Sequence, residues 1–247
     1  RGMAGGSGEA PLILIPTAPW AHYIGDACAW ATASLAAWWQ HRTWPEQSQR
    51  LARITAPGYY VTLALCAVAG AWLVGSINTM PVGLAPSHSI AGALVGGILG
   101  VELWKWRHHV RLSTGGAFVL PLSLGLMVGR IGCLFSGLPD LTFGIPSSLP
   151  WAVDLGDGIP RHPVQLYESA AMAVFAGIYL HGRARSAPWA VRHGFHAFVL
   201  YYGAQRFLLE FLKPYPAVLG PLDVFHLLCL GMMFYGLWWL RREPATA

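Results

Sequence analysis

Long apolar runs alternate with short polar ones along this chain. A helix that crosses a bilayer needs about 20 mainly apolar residues. Seven segments approach that length: roughly 20–39, 58–77, 89–105, 117–137, 164–181, 194–212 and 222–240, the third and fifth being short. Between them lie "QHRTWPEQSQRLARITAPG", "KWRHHVRLSTGG", "GRARSAPWAVRH" and the stretch 138–162, which is rich in Pro, Gly and Asp. The pattern predicts an all-α polytopic membrane protein with about seven transmembrane helices. Residues 1–247 form a single domain, with 1–19 as an external N-terminal segment and 138–162 as an external loop. Gly92, Gly96 and Gly100 in the third segment, and Gly125, Gly129, Gly132 and Ser136 in the fourth, mark faces where helices pack closely in lipid.

Composition agrees with this pattern. Only 11% of the 247 residues are charged, against roughly a quarter in soluble domains, so a water-facing surface is lacking. Eleven of the sixteen basic residues (Arg42, Arg50, Arg53, Lys105, Arg107, Arg111, Arg183, Arg185, Arg192, Arg241 and Arg242) fall in alternate connections. The positive-inside rule makes that side cytoplasmic, which places the N-terminus outside and the C-terminus inside. The acidic residues Asp26, Asp140, Asp154, Asp157, Glu168, Glu210 and Asp223 fall toward the other side, so the chemistry faces outward. No basic run with interleaved aromatics occurs, which argues against a nucleic-acid partner. Cys28, Cys66, Cys133 and Cys229 lie far apart in apolar stretches without metal-ligand or disulfide spacing, so no metal or cofactor is expected. The opening "RGMAGGSGEA" does not read as a cleaved signal peptide.

A few ionisable groups sit inside or at the edges of these segments: Arg130, Arg206 with Glu210 one turn later, and the block "GIPRHPVQLYES" holding Arg161, His162, Gln165, Tyr167 and Glu168. An intramembrane charge costs at least about 2.5–3.5 kcal/mol, so its default reading is functional; the competing reading is a structural ion pair between Arg206 and Glu210. Three arginines near one leaflet suit an anion that itself resides in the membrane, such as a phospholipid headgroup, because the guanidinium fork binds phosphate bidentately. Pro163 can open a helix whose free N–H groups would join Arg161 and His162 as a phosphate cradle.

Three blocks, "GRIGCLFSG", "PWAVDLGDGIPRHPVQLYES" and "YYGAQRFLLEFLKP", give the chain a resemblance to the prolipoprotein diacylglyceryl transferases of bacterial inner membranes. The resemblance implies seven helices and transfer of a diacylglyceryl group from phosphatidylglycerol to a cysteine thiol of a lipoprotein precursor. It implies headgroup binding and catalysis by Arg130 and Arg206, with Glu210 as partner acid. The chain resembles a divergent member or paralogue, because the signature around Cys133, Leu134 and Ser136 lacks the family's asparagines and glutamate, and Ala91 stands where the family carries a histidine. Asp140 or Thr142 stands in for the lost polar groups. His88 lies one turn from Ala91, and either His162 or His88 serves as base, His162 being preferred. Arg161, Gln165, Tyr167 and Glu168 complete the expected substrate site. The alternative is a catalytically lapsed lipid-binding subunit of a membrane complex; a transporter is weaker still, since no symmetric halves are visible.

The orientation is directly testable. A cysteine label at position 157 should react from outside intact spheroplasts, whereas one at position 187 should not; the reverse pattern would invert the topology.

Overall fold

A computed structural model describes residues 13–79 and 87–241. The opening stretch 1–12, on which the signal-peptide expectation falls, and Arg242 lie outside the described residues. The described chain is mainly helical: α1 (Ala21–Thr43), α2 (Pro45–Ile54), α3 (Pro57–Thr79), α4 (Ile90–Arg107), α5 (Val119–Ser136), α6 (Val164–Ala184), α7 (Pro188–Arg192), α8 (Gly194–Glu210) and α9 (Val224–Leu240). All seven apolar segments become helices. Their apolar faces and the absence of interior proline in most of them permit it, while Pro45, Pro57 and Pro188 each stand at a helix start, where the missing N–H costs nothing.

Two helices, Pro57–Asn78 and Gly115–Ser136, are long and apolar enough to cross a membrane, and Val224–Leu240 is apolar but shorter. The other segments carry polar or charged residues: Gln40 and Arg42 in α1, Glu102 and Lys105 in α4, Glu168 and Arg183 in α6, Arg206 and Glu210 in α8. Large apolar side chains nevertheless cover the outside. Trp30, Leu65, Trp72, Leu99, Leu103, Ile178 and Phe234 are among those exposed, and apolar surface this extensive marks contact with something other than water.

The interior is built from α5, α6 and α8. Val119, Leu120, Met172, Phe175, Tyr179, Phe198 and Tyr202 are almost wholly buried there. α1 lies against α5, α9 against α8, and α3 pairs with α4. Glycines allow two of these approaches. A Cβ on Gly25 would stand 2.5 Å from the Cα of Gly132, so α1 and α5 touch backbone to backbone. Gly92 and Gly96 of α4 meet Gly70 of α3 in the same way. The glycine faces read from the sequence are thus packing faces.

The chain also forms a small sheet that the sequence pattern does not reveal. β1 (Ile13–Leu14) runs parallel to β2 (Val153–Asp154), which pairs antiparallel with β3 (Pro160–Arg161). Two-residue strands are too short to display a period of two. Asp154 shapes the β2–β3 turn by accepting from the N–H groups of Gly156, Asp157 and Gly158.

Replacing Gly25 with Val should destabilise the bundle by about 1–3 kcal/mol through overpacking. Gly231→Ala, at a position with no atom within 4 Å of an added Cβ, should leave the melting temperature in detergent unchanged or slightly raised. Equal effects from the two would contradict the backbone contact.

Candidate functional site

The most unusual feature of the interior is a group of five ionised side chains. Glu168, one turn into α6, is 2% exposed. One of its carboxylate oxygens accepts from Arg206 Nη1 at 2.7 Å and from Lys213 Nζ at 2.8 Å. The other lies 2.8 Å from Arg130 Nε. Arg206 also lies against Glu210, one turn along α8, with Nε 2.6 Å from Oε2; the contact is ionic, since the two atoms are not aligned as a hydrogen bond. Lys213, just past the end of α8, is 3.7 Å from the same oxygen. Three basic groups face two carboxylates, so with all five in their ordinary ionised forms the buried group holds one excess positive charge. Ions so placed persist only when paired and hydrogen-bonded, and an excess cation there is a standing attraction for an anion. The Tyr202 hydroxyl, one turn before Arg206, is buried without a hydrogen-bond partner and is free to donate.

Arg130 and Arg206 reach from this group into a cavity of about 360 Å³. Phe225 and Tyr215 give it an apolar wall, and Phe225 lies under the Arg206 guanidinium at 5.2 Å. The lining also includes His22 from the first turn of α1, His88 before α4, Cys133 of α5 and Asp140. His22 Nδ1 is 2.9 Å from Asp140 Oδ1, and Thr142 donates to the other carboxylate oxygen at 2.5 Å. Burial pushes the Asp140 carboxyl up, but the hydrogen bonds from His22 and Thr142 outweigh it and hold the carboxyl below its ordinary value. The cavity thus brings guanidinium groups, suited to phosphate, together with imidazole, thiol and carboxylate.

The residues singled out in the sequence divide into two sets. Arg130, Arg206, Glu210 and Glu168 come together in the ion group; Asp140 and His88 line the cavity; Gln165 lies beside it, 3.5 Å from the Thr142 hydroxyl. Arg161, His162 and Tyr167 go elsewhere. Arg161 grips Asp157 through both guanidinium nitrogens at 2.6 and 2.8 Å and lies over Phe143. That fork holds the Asp157 carboxyl below the usual carboxylate range. His162 Nδ1 is 3.5 Å from the Tyr167 hydroxyl, which accepts from Trp151 Nε1 at 2.7 Å. The expected phosphate cradle at the start of α6 does not form either. The N–H of Val164 donates to the His162 carbonyl, and that of Leu166 to the Pro163 carbonyl.

Sequence reasoning missed His22 and Lys213. Each left a trace: His22 stands four residues before Asp26 on one helix face, and Lys213 follows Glu210 by three. Neither trace identified the distant partner, Asp140 for one and Glu168 for the other.

A family model described as prolipoprotein diacylglyceryl transferase matches residues 28–242. The chain is similar to the phosphatidylglycerol–prolipoprotein diacylglyceryl transferase of Polynucleobacter asymbioticus, at 36% identity over 159 residues, which is 60% of this chain and 59% of that protein. It is similar to the protein of the same name from Bordetella parapertussis, at 36% identity over 53% of this chain and 50% of that one. The protein of that name from Pseudomonas aeruginosa is 36% identical over 61% of each. These alignments span about half to three fifths of the length of each relative. No solved structure matches the chain.

Because Glu168 alone touches Arg130, Arg206 and Lys213, Glu168→Gln should cost about 3–5 kcal/mol by leaving cations uncompensated in the interior. Arg161→Ala, which removes the fork with Asp157, the bond to the Ile159 carbonyl and the contact with Phe143, should lower the melting temperature much less. A Glu168→Gln protein as stable as Arg161→Ala would refute the central place given to this carboxylate.

Proposed function

The chain belongs to the prolipoprotein diacylglyceryl transferase family, and from that premise we propose that it moves a diacylglyceryl group from phosphatidylglycerol to a cysteine thiol of an exported lipoprotein precursor. One observation carries this reading: Arg130 and Arg206 enter one cavity from a buried group of three cations and two carboxylates. A buried excess of one positive charge is suited to a ligand that brings its own negative charge into the membrane, as a phospholipid headgroup does.

The headgroup phosphate lies against the Arg130 and Arg206 guanidinium groups, with the acyl chains leaving between apolar helix faces. Glu210 and Glu168 hold the two arginines in place, so little reorganisation is needed as charge develops. The acceptor sulfur attacks the diacylglyceryl carbon that bears the phosphate ester. The new C–S bond forms as the C–O bond breaks, and the electron pair departs on glycerol phosphate, where the arginines stabilise it. His88, which lines the same cavity as the arginines, takes the thiol proton in place of His162, which lies among Tyr167 and Trp151 outside the cavity.

The same reading makes residues 1–247 a single helical unit of the bacterial inner membrane with seven crossings, the N-terminus outside and the site toward the outer leaflet. The basic residues of alternate connections support that orientation, as do the exposed apolar faces of α1, α3, α4 and α9. The polar residues within α4, α6 and α8 are compatible with crossing because several pair with one another, as Lys105 does with Glu102 and Arg206 with Glu168.

Purified protein given phosphatidylglycerol and a lipobox peptide with its cysteine should release glycerol phosphate, and a peptide with serine in that place should not. Arg206→Lys should weaken phospholipid binding roughly tenfold or more although the charge is kept, because an ammonium lacks the planar fork. Wild-type affinity in Arg206→Lys would exclude the phosphate clamp, and absence of release with every phospholipid tried would exclude the transferase.

A further inference from the structure

On the cavity wall one turn along α5 from Arg130, three side chains from three separate elements converge. An imidazole nitrogen of His22, the sulfur of Cys133 and a carboxylate oxygen of Asp140 all lie within 4.8 Å of one another. We propose that His22, Cys133 and Asp140 form a binding site for a divalent transition-metal ion of the zinc class, whose open position takes the acceptor thiolate; the second half of this proposal rests on the transferase reading.

The donor set and its spacing support the assignment. Imidazole nitrogen, thiolate sulfur and carboxylate oxygen are the ligand types zinc prefers, at about 2.0–2.3 Å each. A tetrahedral ion at those distances sets its ligand atoms about 3.3–3.8 Å apart. His22 and Asp140, now 2.9 Å apart, would exchange their mutual contact for the ion with a small opening. The sulfur would close by about 1 Å at most, within reach of rotation at Cys133.

The outer contacts are those of an oriented site. A ligating imidazole characteristically offers its second nitrogen to a carboxylate, and a ligating carboxylate is itself hydrogen-bonded. Here His22 Nε2 lies 3.4 Å from Asp26 Oδ2, and Asp140 Oδ2 accepts from Thr142. Charge is also balanced. Thiolate and carboxylate together offset the dication, so the ion adds no net charge to the cavity. An ion at this place would therefore not spoil the phosphate-binding part of the cavity.

Three protein ligands with one side open to a cavity is the pattern of catalytic rather than structural zinc. All three ligands line the cavity, so the remaining position faces the space where an acceptor would enter. A thiol that coordinates a dication gives up its proton; His88, whose ring centre is 6.0 Å from that of His22, receives it. Cys133 acts as a ligand and not as the nucleophile.

The test uses the full chain in detergent with any affinity tag removed, stripped by chelator and titrated with Co²⁺ in the absence of phospholipid. Wild type should bind one ion per chain, with a sulfur-to-cobalt charge-transfer band and the intense visible bands of four-coordination. Cys133→Ser should lose the charge-transfer band. His22→Gln and Asp140→Asn should each weaken binding roughly tenfold or more, with melting temperatures recorded to show that the variants are folded; Asp140→Asn, in a connecting segment, keeps the test available if Cys133→Ser does not fold. A cysteine lipobox peptide should add charge-transfer intensity and its serine counterpart should not. Failure to bind one ion, or a spectrum unaltered by all three substitutions, would overturn the site. A bound ion whose spectrum ignores the peptide would overturn thiol capture. Absence of diacylglyceryl transfer from a protein that binds the ion as described would count against the transferase reading and leave the metal site standing.

Discussion

The contact on which the arrangement depends is that of Glu168 with Arg130, Arg206 and Lys213. It joins α5, α6 and the end of α8 at one carboxylate, with all four groups buried. Apolar packing of Phe175, Tyr179 and Phe198 holds these helices together but is indifferent to small rotations, whereas an unpaired cation in the interior is not. The ion group therefore fixes which faces of α5 and α8 meet the cavity. It also explains why two arginines can be held at a cavity wall without collapsing onto the nearest carboxylate: each is already partly matched, and the remaining charge is shared.

The cavity lining has two chemical parts. The guanidinium groups of Arg130 and Arg206 favour a phosphate, while His22, Cys133, Asp140 and His88 supply imidazole, thiol and carboxylate. A substitution at carbon requires such a division, because the leaving group gains negative charge as the nucleophile loses it. The close backbone contact of Gly25 with Gly132 serves the same end, since it brings His22, one turn before Gly25, alongside Cys133, the residue after Gly132.

The helices were legible in the sequence because apolar runs of that length have few other structures open to them. Their ends were less so: α1 continues through His41 and Arg42 to Thr43, and α2 lies within a connection that reads as merely polar. Arg130, Arg206, Glu168 and Glu210 were legible because a charge in a greasy helix demands an explanation. Arg161, His162 and Tyr167 lie apart from the cavity for a physical reason. The chain turns at Pro163, so residues before it belong to the small sheet, while Gln165 and Glu168 enter the bundle. Tyr167 starts the same helix but faces Trp151. His22 and Lys213 were missed because their meaning lies in partners far along the chain, which no local pattern reports.

The central claim is that the buried cation excess holds a phospholipid phosphate inside the cavity. A density map of the protein in nanodiscs containing phosphatidylglycerol tests it most directly. The account predicts a phosphate within about 3 Å of the Arg130 and Arg206 guanidinium nitrogens. A phosphate found instead at Arg161 and the start of α6, with the cavity holding none, would contradict it.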